Sequence, residues 1–197
     1  MPVRTLSLFV GPWLDAYADA PTHSRQDIED HIWAEYGHDR VVLVLDMAGF
    51  SLLTQRHGIV YYLAMVRRMH RVVGPLIRAR GGDLIKFEAD NAFAIFPDGD
   101  SAVVAALAIR QMLATDEHPE KIRVSMGIDG GRVLMVDQID VFGHPVNRAS
   151  KLGEDIAEAD EILVTAEVYN ALSPADRPPG RATQITVSGL AIDVVSL

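Results

Sequence analysis

The stretch Val41-Val42-Leu43-Val44-Leu45-Asp46-Met47-Ala48-Gly49-Phe50-Ser51 carries the reading on which the rest depends. Its first five residues are apolar and rich in β-branched types, the pattern of a strand buried on both faces. A carboxylate closing such a strand needs a partner. The turn that follows offers a glycine and then Ser51, which can cap a helix from Leu52 onward. A helix start of this kind presents N–H groups where phosphate oxygens are favoured by hydrogen bonding and by the dipole. Carboxylate, glycine turn and helix start together suggest Mg²⁺ holding a nucleoside triphosphate. The alternative is an Asp46 that merely caps its turn.

A second acid shifts that balance. Leu84 to Phe96 has apolar stretches on either side of a short polar centre, Ala89-Asp90-Asn91, which is the pattern of a hairpin with its turn at that centre. Asp90 therefore sits at a hairpin tip, and one compact sheet could bring it to Asp46. Lys86 precedes it by four residues and would share its face in an uninterrupted strand. Alone, Lys86 reads as a solvated strand residue, Asp140 as a loop acid and Asn147 as a helix-start residue after Pro145.

Taken in order, these residues resemble the class III nucleotidyl cyclase catalytic domain, the adenylate and guanylate cyclase family. That family has a strand ending in Asp with a Gly-Phe-Ser/Thr turn, then a Lys-x-x-Gly-Asp hairpin; here the text is LDMAGFS and KFEAD. Ser125 to Gly131 looks like its strand-and-glycine segment, and Asp140 to Asn147 (DVFGHPVN) like its nucleotide-recognition stretch. The likeness runs from about Arg40 to about Ala171.

The resemblance implies an α+β fold, a ferredoxin-like sheet with flanking helices on one face. It assigns Asp46, Asp90 and the main-chain carbonyl of Met47 to two divalent cations, Mg²⁺ or Mn²⁺, and the Gly49-Phe50-Ser51 turn to the triphosphate. Lys86 and Asp140 fall at the purine-recognising positions. A Lys donates to adenine N1 and an Asp accepts from its exocyclic amine, the opposite polarity to guanine, so the implied substrate is ATP. Asn147 falls at the transition-state asparagine. The implied reaction is attack of the ATP 3′-hydroxyl on its own α-phosphate, giving cyclic AMP and pyrophosphate. Its active sites would lie between two copies in a homodimer, with the metal acids from one and the purine and transition-state residues from the other.

Two positions depart from the family. Lys151 stands where an arginine is expected to meet phosphate; it keeps the charge and loses the planar fork. Arg148, a helical neighbour of Lys151, is a candidate for the same phosphate. The text NRASKLGED looks like a bacterial branch of the family that shares this lysine. Ala89 replaces the glycine usual before the hairpin acid, which restricts the backbone there. The departures open two further readings: a weakly active or inactive cyclase-like nucleotide-binding regulatory domain, and an interaction module with vestigial acids.

Composition sets the outer limits. With 197 residues, 49% of them hydrophobic, the chain is long enough for one domain with a substantial core. A net charge of −9 argues against nucleic acid polymers, whose phosphates it would repel. No apolar run approaches the roughly 20 residues of a membrane span, and no signal peptide is evident. Together with the absence of cysteine, this makes the cytoplasm the expected compartment.

Residues 1–38 read as an extension with a helix from Gln26 to Tyr36; Trp13, Ile28, Ile32 and Trp33 of this extension are expected to pack on the catalytic domain (39–197) or on another copy. Ile59 to Arg80 reads as an amphipathic helix through Val60, Leu63, Val66, Val73, Leu76 and Ile77, stopped by Gly81-Gly82. Ser101 to Ala114 reads as a second helix. After the Asn147 helix come a strand at Glu161–Val164, a short helix capped by Thr165, and two strands around Ser188-Gly189. Gly81-Gly82-Asp83 lacks the continuation of a diguanylate cyclase signature. The seven histidines show no metal-ligand spacing, and Asp129-Gly130-Gly131 reads as strand and turn.

Overall fold

β1 (Gly37–Met47) lies inside the sheet, as its apolar run requires: Val42, Leu43, Val44 and Leu45 have no exposed surface. The structure is a computed structural model that describes residues 10–136, 139–175, 177–187 and 189–197. Ser188, expected in the last turn, and residues 1–9 of the extension lie outside them.

From β1 the chain passes through α3 (Phe50–His57) and α4 (Ile59–Ala79), then the hairpin β2 (Asp83–Glu88) and β3 (Asn91–Phe96). α5 (Gly99–Thr115) leads to the long β4 (Val124–Val136). The strand order β2-β3-β1-β4-β6-β8-β7 begins with the arrangement of a ferredoxin-like unit, in which β1 pairs antiparallel with both β3 and β4. Beyond β4 come β5 (Asp140–Phe142), α6 (His144–Ser150), β6 (Ile162–Thr165), α7 (Ala166–Ala171), β7 (Arg181–Val187) and β8 (Leu190–Ser196). β5 folds back on the end of β4, and β6 joins β4 in parallel.

Strand alternation divides the core. Leu43, Leu45 and Met47 pack with Met65, Met69, Val73 and Ile77 of α4 and with Ala102, Ala105, Ala106 and Ile109 of α5. The small alanines let α5 approach the sheet closely. Val42 and Val44 face the other way, onto Ala149 and Val146 of α6. The helices thus flank both faces, not one, and Asp46 continues the Val42-Val44 phase toward the α6 side.

The α4 stripe also differs from the expected one. Tyr62, Met65, Val66, Met69, Val73 and Ile77 are inside, while Val60 and Leu63 are 77% and 56% exposed. A tyrosine takes the inward position in the first turns because its hydroxyl finds an acceptor there. α4 stops as expected at Gly81, which has φ +77 and whose N–H bonds the Arg78 carbonyl.

Neither predicted side-chain cap forms. α3 begins at Phe50 behind Gly49, whose φ of 95 suits a residue without a β-carbon, so Ser51 lies within the first turn. Thr165 precedes α7, but its hydroxyl is turned to Asp129.

The N-terminal segment forms α1 (Gly11–Asp19) and α2 (Arg25–Tyr36). Trp13, Ile28 and Ile32 pack on Leu134 and Val136 of β4 in the same chain. Arg132 donates to the Trp33 carbonyl at 3.0 Å and lies over the Trp33 ring. Among the described residues, no helix is long and apolar enough to cross a membrane.

Candidate active site

Asp46 and Asp90 come together, as the two strand-end runs suggested. Asp46 occupies the next-to-last position of β1, opposite Ser125, and Asp90 the turn of the β2-β3 hairpin. Burial, then the nearby Asp90 charge and that of Glu154, push the Asp46 carboxyl up to about 6. Among the described residues, no basic side chain pairs with either acid.

That unneutralised pair is a donor set suited to a divalent cation, with the Met47 main chain beside it. The Met47 side chain is buried in the core, so only its backbone is available to a ligand. Among the described residues, no three His, Cys, Asp or Glu side chains form a ready-made metal cage. This suits Mg²⁺, which is commonly held by one or two carboxylates and completed by substrate phosphates and water.

α4 supplies a brace that the sequence did not announce. The Tyr62 hydroxyl donates to Asp90 Oδ2, and Phe50 meets the Tyr62 ring edge-on at 4.8 Å. Burial and the Asp90 hydrogen bond raise the Tyr62 phenol well above its ordinary value. His70 stacks on Phe87, and its Nε2 lies 3.3 Å from the Ala89 carbonyl. Ala89 itself adopts φ +53, so the departure from glycine leaves a left-handed alanine next to Asp90. Tyr61-Tyr62 in the first turns of this amphipathic helix was the available signal for this contact.

Lys86 and Asp140 meet within one chain, Nζ to Oδ1 at 3.3 Å, and Glu88 lies at the same distance from the ammonium. Burial pulls the Lys86 ammonium down, but Asp140 and Glu88 outweigh it and hold it above its ordinary value. The Phe93 ring lies beneath the ammonium at 5.0 Å, and Asp140 is fixed by the Val141 N–H at 2.9 Å. The pair is therefore oriented, though solvent still reaches it.

Asn147 is exposed on α6. Lys151 opens a π-helical turn, Lys151–Ile156, and bonds Asp155 at 2.5 Å. The turn lies close against the sheet: a β-carbon at Gly153 would stand 2.7 Å from the Val44 carbonyl and 2.8 Å from the Gly127 nitrogen. The Arg148 guanidinium, the candidate for the same phosphate as Lys151, is held by Asp129 and Glu167. Gly49, Phe50 and Ser51 lie at the exposed start of α3, with Phe50 49% exposed.

The profile of the adenylate and guanylate cyclase catalytic domain matches residues 35–192, and the chain belongs to that family. An adenylate cyclase of Streptomyces coelicolor is 34% identical over 138 residues, which are 70% of this chain and 35% of that protein. The chain spans about a third of the length of the curated relatives it matches. Among solved structures, an adenylate/guanylate cyclase/hydrolase from Silicibacter pomeroyi is 28% identical with a TM-score of 0.67, covering 81% of this chain and 96% of that one. The catalytic core of a rhodopsin-guanylyl cyclase with converted specificity, in complex with ATPalphaS, has a TM-score of 0.72 at 20% identity, with the same coverage. That last likeness is one of fold.

Proposed function

We propose that the chain is an adenylate cyclase that closes the 3′-hydroxyl of ATP on its own α-phosphate, releasing pyrophosphate and forming cyclic AMP. The observation that carries the choice of ATP is the Lys86–Asp140 contact. A donor beside an acceptor matches the N1 and exocyclic amine of adenine; guanine offers N1–H and O6 and needs the reverse.

Two Mg²⁺ or Mn²⁺ ions held by Asp46, Asp90 and the Met47 carbonyl would acidify the 3′-hydroxyl and offset charge on the triphosphate. The chain's own residues position the rest. Gly49, Phe50 and Ser51 place the N–H groups of α3 toward the phosphates. Lys86 and Asp140 hold the base, Asn147 orients the ribose, and Lys151 meets the phosphate as charge develops. No side-chain nucleophile is needed, since the attacking oxygen belongs to the substrate. In a symmetric homodimer, Asp46 and Asp90 of one copy would face Lys86, Asp140, Asn147 and Lys151 of the other, giving two sites. Residues 39–197 would form the catalytic domain, acting in the cytoplasm where ATP is plentiful.

Purified protein with Mn²⁺ and either ATP or GTP, scored by chromatography, tests this. Cyclic AMP as the main product, abolished by Asp90→Ala, is the expected result; cyclic GMP as the main product would overturn the assignment of Lys86 and Asp140. One observation favours a second reading, a nucleotide-binding regulatory domain of low turnover: Lys151 is engaged by Asp155 and lacks the arginine fork. Metal-dependent ATP binding without product, converted to turnover by Lys151→Arg, would select it.

A further inference from the structure

Asp129 lies within β4 with no exposed surface. A carboxylate in such a place is costly unless every lone pair is answered. Here Arg148 donates to it twice, Nε at 2.6 Å and Nη2 at 3.0 Å, and the Thr165 hydroxyl donates at 2.9 Å. The Gly130 N–H adds a further bond, and Arg148 Nη2 also reaches Glu167 at 3.0 Å. Three parts of the chain, β4, α6 and the β6-α7 junction, thus converge on one carboxylate.

α6 needs such an anchor. It has seven residues, far below the length at which a helix stands alone, and it has no side-chain cap. A π-helical turn follows directly, so its C-terminal end is not a regular continuation. Its buried Pro145 and Ala149 resist separation from the sheet but are nondirectional and fix rotation poorly. A bidentate guanidinium-carboxylate pair has a fixed plane and direction. Arg148 is also well placed to transmit that direction: Asn147 precedes it immediately, and Lys151 follows by three residues.

We propose that Asp129 and Arg148 are a positioning pair for the cyclase reaction, holding α6 at the rotation and depth that present Asn147 and Lys151 to the nucleotide. This role rests on the adenylate cyclase reading above. Stability alone accounts poorly for the pair, because buried ion pairs can often be replaced by uncharged groups at little cost. A phosphate contact by Arg148 is also a poor account, since it would break a buried bond and leave Asp129 unanswered.

The test is the double variant Asp129→Asn/Arg148→Met, which removes both charges and keeps an acceptor for Thr165. Four quantities are read: melting temperature, kcat and KM for ATP with Mn²⁺, and the mobility of a nitroxide attached through Lys151→Cys. The chain has no cysteine, so the label is specific. The melting temperature is expected to stay near that of the parent, KM to change little, and kcat to fall by about 10- to 100-fold, the scale of an ångström-sized misplacement. The spin-label spectrum should show greater mobility than in the singly labelled parent. A folded double variant with unchanged kcat, or with an unchanged label spectrum, would overturn the proposal.

Should the double variant not fold, Arg148→Lys keeps the charge opposite Asp129 and loses the fork. A label more mobile than in the parent, with a lowered kcat, is then expected, and no change in either overturns the role. If the parent chain makes no cyclic nucleotide, the cyclase reading fails by itself. The label still decides whether the pair holds α6, because its spectrum does not depend on turnover.

Discussion

Tyr62 links the helix layer to the acidic site through a single hydroxyl on Asp90. Removing it with Tyr62→Phe keeps the ring in the core and withdraws one donor from the carboxylate. Groups behind a metal ligand commonly contribute about 10-fold or more to affinity, so the apparent Mn²⁺ affinity should weaken by about that factor in a titration of activity. Asp46 gives a pH dependence of known sign. Its carboxyl is raised from 3.8 to about 6, so in the metal-free protein its contribution to stability is fully present below pH 3.8 and is lost as pH rises through 6. Calorimetry in EDTA should therefore show Asp46→Asn gaining on the parent as pH rises from about 4 to about 6 and keeping that gain above it, and saturating Mn²⁺ should reverse that order. At Ala89 the backbone sits at φ +53, and Ala89→Gly is expected to stabilise the hairpin by about 0.5–1 kcal/mol in urea unfolding.

Elements were legible where one physical rule dominated. An unbroken apolar, β-branched run marked β1, apolar stretches about a short polar centre marked the β2-β3 hairpin, and paired glycines marked the end of α4. Where two rules competed, the reading slipped. Val60 and Leu63 fitted the apolar spacing of α4, but the first turns rotate to bring in Tyr62, a choice that depends on an acceptor distant in sequence. Ser51 and Thr165 had the chemistry of caps; Gly49 supplied the turn in one case, and a buried carboxylate claimed the hydroxyl in the other. The convergence of Asp46 and Asp90 followed from the two strand-end runs, and the roles of Lys86 and Asp140 came only through the family resemblance, whereas the acids Glu154 and Asp155 near Asp46 depend on a π-helical turn that no periodicity announces. Within that turn Gly153 lies against main-chain atoms of β1 and β4. Gly153→Ala should cost about 1–3 kcal/mol by overpacking, measured by urea unfolding, with a disproportionate loss of cyclic nucleotide formation.

For the whole molecule, complementation tests the shared site. Asp46→Ala and Asn147→Ala chains, each inactive alone, should recover part of the activity when mixed, because one composite site regains both halves. Absence of recovery in a preparation where mixed dimers are demonstrated would contradict that arrangement. The route from the N-terminal extension into the catalytic sheet bears on control. α2 ends at Tyr36 and β1 begins at the next residue, Gly37, running eleven residues to Met47, with Asp46 just before its end. No slack connection separates the two, and α2 is bolted to β4 through Trp33 and Arg132. A displacement of α2 would thus be carried along a stiff shaft of roughly 35 Å to the end of β1 where Asp46 sits.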